Sequence, residues 1–303
     1  MNSHKPSKVF AGLWALLMVS ALSGGCAEEF DPPSLIDKPR PIGAMVRVED
    51  DPNRSTPRPG ETVVVTWLMV APAEVPTLGW MFAICRPGTA TPAEGCTPTP
   101  YATFEGAGWP SFRFEVPSQE ILGGASQMLI LGQICEDGTP TFDLQTGQPT
   151  CPGQGNTVTA TLFLQQSDAG NQRPALPERP LWFDGVDWLA DDPNGDCTGR
   201  PSVALGSKDH VLRLRMLAED RETYVTGDAT AREELQISQF TTAGELGQTY
   251  LVVEASNQDP WNDLESKWDA PETMPPGGQV HFVFVARDMR GGVNLTTRTV
   301  CLY

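Results

Sequence analysis

Apolar and polar residues alternate with a period of two along much of this 303-residue chain. Residues 157–164 show it best: Val158, Ala160, Leu162 and Leu164 fall on one side, Thr157, Thr159, Thr161 and Phe163 on the other. That period is the mark of a strand. Residues 61–71 (ETVVVTWLMVA) are rich in β-branched residues and Trp, as a buried strand should be. The same reasoning predicts strands at 44–49, 78–85, 111–116 and 128–135, and later at 211–217, 234–240, 249–255, 279–287 and 293–303. In 211–217, Arg213 and Arg215 interleave with Leu212, Leu214 and Met216. In the last hairpin, Val280, Phe282, Phe284 and Ala286 share a face, and Gly291 and Gly292 supply the positive φ that the turn needs. No stretch keeps a helical period, and 221–234 reads as a loop.

Turn clusters separate these segments. Many short strands so punctuated predict an all-β fold. Residues 167–180 (SDAGNQRPALPERP) hold three prolines and no apolar run, which marks a boundary. The expected architecture is two immunoglobulin-like β-sandwich domains, at 43–166 and 180–303, joined by a linker at 167–179.

The first 42 residues differ. Lys5 and Lys8 precede an apolar run of fourteen residues, 9–22, broken only by Gly12 and Ser20. This run is short for a membrane span and has the layout of an export signal. Ser23, Gly24 and Gly25 follow, and then Cys26. The arrangement resembles a bacterial lipobox, although Ser23 stands where Leu is usual. The resemblance implies removal of 1–25 and lipidation of Cys26, with the acyl chains as membrane contact. Ala27, in place of Asp, implies sorting to the outer membrane. The competing reading is ordinary signal cleavage with Cys26 left as a free thiol. Residues 26–42, acidic and proline-rich at the start, read as a lipidated tether.

Removing the signal leaves 19 basic residues against 38 acidic ones, a net charge of −19. Such a surface argues against nucleic-acid binding, which needs a basic footprint. Six cysteines remain: Cys85, Cys96, Cys135, Cys151, Cys197 and Cys301. An even set in an exported chain reads as disulfides. Six cysteines allow fifteen pairings, and nearest-neighbour pairing would join Cys85 to Cys96, Cys135 to Cys151 and Cys197 to Cys301. A metal site is the weaker reading, because no C-x-x-C pair exists and only His210 and His281 remain.

Candidate chemistry is sparse. A Ser–His–Asp site needs a histidine held by a carboxylate. His210 follows Lys208 and Asp209 at a strand start and His281 lies inside a strand, so both read as structural or surface residues. Asp192, Asn194 and Asp196 place oxygens at alternate positions, as in the first half of a calcium loop. Cys197 then stands where that loop needs Gly, and the Asx-turn reading competes. Asp259, Asn262, Asp263 and Glu265 suggest a second oxygen cluster near Trp261. Trp182, Phe183 and Trp188 lie beside Asp184 and Asp187 just past the boundary. They suit either a sugar platform or a plug between domains, and the position favours the plug.

Several short stretches are familiar. Phe30-Asp31-Pro32-Pro33, Pro59-Gly60-Glu61-Thr62, residues 80–85, Asn171-Gln172-Arg173-Pro174, Thr242-Ala243-Gly244-Glu245-Leu246, Trp268-Asp269-Ala270-Pro271 and residues 287–293 resemble a group of myxobacterial (deltaproteobacterial) lipoproteins. The likeness implies export and an anchored β fold, and it supplies no activity. The closing hairpin also resembles the last two strands of immunoglobulin-like repeats of the polycystic-kidney-disease (PKD) and cadherin-like kind. The expected role is a non-enzymatic cell-envelope lipoprotein that binds or scaffolds an envelope protein or polysaccharide, without a cofactor unless calcium binds. The alternative is a carbohydrate-directed surface protein acting through Asp/Glu and Trp.

Overall fold

A strand that is apolar on both faces needs neighbours in its sheet and a layer against each face. The computed structural model of the chain supplies both. It describes residues 33–72, 77–86, 90–91, 95–96, 99–153, 157–167, 170–190, 197–226 and 229–303. The expected signal segment 1–25, Cys26, and the candidate calcium ligands Asp192, Asn194 and Asp196 lie outside the described residues.

In the N-terminal half, Thr62–Val70 pairs antiparallel with Arg40–Val48 on one side and Ser111–Glu115 on the other. A four-stranded antiparallel sheet runs in the order Thr157–Gln165, Gln127–Cys135, Gly79–Ile84, Ala102–Ala107. The two sheets share one core, with Val63, Val65 and Trp67 from the first and Phe82, Ile130 and Leu164 from the second. Trp67 stacks on Phe82 with ring centroids 5.0 Å apart. Gly132 is the cross-strand partner of Phe82. A Cβ on Gly132 would come within 2.1 Å of that ring, so the missing side chain makes the ring's space.

The C-terminal half repeats the layering. One five-stranded sheet runs Val186–Asp187, Leu181–Phe183, His210–Leu217, Trp261–Asp269, Glu245–Leu246. The other runs Ser202–Val203, Val293–Leu302, Gln279–Arg287, Leu235–Thr241, Tyr250–Val253. Between them lie Leu212, Leu214, Met216, Ile237, Trp268, Phe282 and Val300. Gln279–Arg287 serves two clusters. Val280, Phe282, Phe284 and Ala286 face this core, as the alternation predicts, while Val283 and Val285 pack with Ile36, Ile42, Leu68 and Val70. That third cluster joins the two halves.

Several expectations change. Within the expected tether, residues 34–36 are held against the fold, with Ser34 and Ile36 buried. The Ile36 N–H donates to Thr241 O at 2.7 Å, and the Thr241 N–H donates to Ser34 O at 2.9 Å. The 221–234 segment is not all loop but carries the hairpin Thr223–Thr226 with Ala229–Arg232. Ala102–Ala107 and Trp261–Asp269 are strands that the period-two pattern does not reveal. In the last turn, Met289 and Gly291 carry positive φ. Gly292 is there for space, since a Cβ would lie 1.8 Å from Asp288 Oδ2.

The six cysteines form Cys85–Cys96, Cys135–Cys151 and Cys197–Cys301, with Cα–Cα distances of 4.7, 5.8 and 6.0 Å. Ser202–Val203 pairs in parallel with Cys301–Leu302, so the third bridge closes next to a hydrogen-bonded strand pair. Three such bridges point to an oxidising, extracytoplasmic compartment.

Candidate functional site

Three polar arrangements stand out, the first built by a turn and a chain crossing and the other two by strand pairing. The first seals the junction between the halves. The turn after Gln279–Arg287 buries Asp288, and the chain crossing from one half to the other buries Asn171. Asn171 Nδ2 donates to Asp288 Oδ2 at 2.7 Å, while Asp288 Oδ1 accepts the N–H groups of Arg290 and Gly292, each at 2.8 Å. On its other side, Asn171 meets Ser55 of the N-terminal half: the Ser55 N–H donates to Asn171 O at 2.7 Å, and Asn171 Nδ2 also reaches Ser55 Oγ at 3.1 Å. Arg290 lies over the Tyr224 ring and donates to Glu233 Oε1 at 2.6 Å. Burial pushes Asp288 above the ordinary carboxylate range and raises Glu233 to about 7. Residues 171–174 and 287–293 thus meet at one place.

The second arrangement lies on the outward face of the His210–Leu217 sheet. Register sets Trp182 opposite Arg213, Arg213 opposite Glu265, Arg215 opposite Asp263 and Leu217 opposite Trp261. Arg215 sits between two indoles, 5.4 Å from the Trp182 ring and 5.7 Å from the Trp261 ring. Asp263 holds it by two hydrogen bonds of 2.6 and 2.7 Å. Arg215 in turn keeps Asp263 below its ordinary pKa. Trp261 remains 53% exposed, so the ladder ends in an open aromatic face.

The third surrounds His210. Pairing of Leu181–Phe183 with His210–Leu217 brings the Asp184-Gly185 hairpin turn beside the start of the longer strand. Both turn residues have positive φ, as a tight hairpin turn requires. Asp184 Oδ2 lies 2.7 Å from His210 Nδ1, and Asp184 Oδ1 accepts the Val211 N–H at 2.8 Å. On the other side of the ring, His210 Nε2 lies 2.7 Å from Ser207 Oγ. Phe183 stacks on the imidazole at 5.2 Å between centroids. His210 therefore has the carboxylate partner that its local sequence does not show, because Asp184 is 26 residues away.

The remaining candidates fall elsewhere. His281 bridges to Thr299 Oγ1, its cross-strand partner, at 3.0 Å. Asp263 and Glu265, expected in a second oxygen cluster, are strand residues paired with Arg215 and Arg213. Asn262 accepts from Asn257. Among the described residues, no group of three or more His, Cys, Asp or Glu could hold a metal ion. Trp188 and Phe183 are not a plug between domains but part of the C-terminal core. Trp188 packs edge-on against Phe183 and Phe282, and its Nε1 donates to Thr299 O at 3.0 Å. The position after the boundary suggested otherwise because the strands that cover these rings lie far along the chain. The chain matches no protein-family model and no curated protein sequence.

Proposed function

We propose that this chain is a cell-envelope lipoprotein, anchored to the outer membrane through Cys26, that binds or scaffolds another envelope component. Its body is two immunoglobulin-like sandwich domains locked into one stiff unit, and the likeness to myxobacterial lipoproteins implies export and an anchored β fold. The observation that carries this reading is the sealed junction. Val283 and Val285 pack on Ile42 and Leu68, and Asn171 bonds both halves at once. Domains meant to move against each other keep small polar contacts, whereas a buried apolar and hydrogen-bonded seam suits a rigid spacer or presenting arm. Three disulfides add to that stiffness.

A carbohydrate partner is the second reading, favoured by the exposed Trp261 held on Arg215 and Asp263. One experiment addresses both. The full chain carrying Cys26→Ala is incubated with washed outer-membrane and cell-wall fragments and sedimented. Saturable co-sedimentation abolished by protease treatment of the fragments supports a protein partner. Co-sedimentation that survives protease and falls in Trp261→Ala supports polysaccharide. A chain that stays in the supernatant with both kinds of fragment overturns the binding role.

A further inference from the structure

The hydroxyl, imidazole and carboxylate of Ser207, His210 and Asp184 have the connectivity of a nucleophile, a base and the group that orients the base. We propose that they form an acyl-accepting site for esters, with Ser207 as nucleophile, His210 as general base and Asp184 as positioning residue. This departs from the non-enzymatic expectation and is independent of the anchor and of the partner.

Proton bookkeeping supports the assignment. The Asp184 carboxylate is an acceptor, so His210 Nδ1 carries the hydrogen of their 2.7 Å contact. In the neutral ring Nε2 is then a bare lone pair, 2.7 Å from Ser207 Oγ. Ser207 has one hydroxyl proton and two acceptors within reach, Nε2 and the Ala204 carbonyl at 2.6 Å. When the ring is neutral, the proton can point to Nε2 and leave an oxygen lone pair outward. When the ring is protonated, Nε2–H donates to Oγ and the hydroxyl turns to Ala204 O. Both ends of a proton transfer are accommodated without moving a heavy atom, and Nε2 lies within the hydrogen-bond reach of Oγ that general-base catalysis requires.

The surroundings hold the parts in place. The Ser207 N–H donates to Ala204 O, and the Ala270 N–H donates to Ser207 O at 2.8 Å, so the turn is pinned from both sides. Asp184 in the site and Asp209 beside it are two of the three non-glycine residues with positive φ among the described residues. A recess of about 290 Å³ lined by Phe183, Asp184, Asp187, Arg200 and Val203 opens beside the carboxylate. The backbone N–H groups of Ser207 and Asp209 are spent on Ala204 O and Asp269 Oδ1. Little help for an oxyanion remains there, so the substrate class is esters with a good leaving group, such as aryl esters. In the reaction, the Ser207 Oγ–acyl carbon bond forms as the ester C–O bond breaks. The Ser207 proton passes to His210 and on to the departing phenoxide. Water then cleaves the acyl-serine, returning the proton to Oγ and releasing the acid.

The test uses the full chain with its disulfides formed, a fluorophosphonate probe and p-nitrophenyl acetate. The probe loses fluoride as the Ser207 Oγ–P bond forms. The expected result is one adduct on the peptide containing Ser207, absent in Ser207→Ala, with labelling and ester turnover at least tenfold slower in His210→Gln. Labelling no faster than in heat-unfolded chain, an adduct that persists in Ser207→Ala, or a His210→Gln effect below tenfold overturns the proposal. Should His210→Gln fail to fold, Asp184→Asn reads the same step, since Asn tolerates the turn and still accepts the Val211 N–H. A tenfold or greater drop in kcat at unchanged KM supports the proposal, and a smaller drop or a change in KM alone overturns it.

Discussion

Asn171 Nδ2 donates to Asp288 Oδ2 at 2.7 Å, joining residues 117 apart in sequence inside the junction of the two halves. Both side chains are about 1% exposed. Asp288 spends its other oxygen on two backbone N–H groups, so Asn171 is the side chain that satisfies Oδ2. Removing a donor from a buried carboxylate costs about 1.5–3 kcal/mol. Asn171→Ala is therefore expected to lose that much stability in urea or heat unfolding. Asn171→Asp should lose more, because it sets two buried carboxylates together. A loss below about 0.5 kcal/mol in Asn171→Ala would mean that the contact does not stabilise the junction.

Glu233 gives the junction a pH dependence. Its carboxyl is 2% exposed beside Glu222, Asp288 and Arg290, and burial raises it from 4.5 to about 7. A carboxyl with a higher pKa folded than unfolded takes up a proton on folding. Its favourable contribution is complete below about pH 4.5 and is lost as pH rises through about 7. The interval amounts to on the order of 3 kcal/mol. Wild type is expected to lose stability relative to Glu233→Gln between pH 5 and pH 8. Parallel stability curves for the two proteins over that range would contradict the assignment.

The N-terminal core offers a steric test. Gly132→Ala drives a methyl into the Phe82 ring. Overpacking of this kind costs about 1–3 kcal/mol. Adding Phe82→Leu should recover part of that loss, since the smaller side chain opens the space. If the double variant is no more stable than Gly132→Ala, the clash is not the cause.

The disulfides differ in the length of chain that they close. Cys197–Cys301 spans 104 residues and Cys85–Cys96 spans 11. Chain entropy gives about 5 kcal/mol for the former and about 3 for the latter. Replacing both members of the long bridge by Ser should lower the melting temperature more than replacing both members of the short one. Non-reducing peptide maps should recover the three neighbour pairs, and a Cys96–Cys135 link would overturn the strand order as well.

Most strands were legible because their buried faces are apolar at every second position, as in Thr157–Gln165 and Gln279–Arg287. Trp261–Asp269 escaped because its inward positions include Asn262 and Ser266. Ser266 is buried with its hydroxyl satisfied, donating to Gln239 Oε1 at 2.6 Å. Ala102–Ala107 escaped because Gly106 replaces a large residue where Trp80 leans in. The six cysteines could be matched by assuming neighbour pairing, because each partner is the next along the chain. The His210 site could not be read from the sequence, since Asp184 reaches it through sheet register and no local motif marks that. Nor could the Trp182–Arg215–Trp261 ladder, whose rungs come from three separate strands.

Anchoring through Cys26 is tested most directly by fractionating a Gram-negative host that expresses the full chain or its Cys26→Ala variant. An anchored lipoprotein stays in the membrane pellet through high-salt washing and dissolves in detergent, while Cys26→Ala appears in the soluble fraction. A Cys26→Ala chain that still pellets after the high-salt wash, or a wild-type chain that is soluble from the start, would contradict anchoring through Cys26.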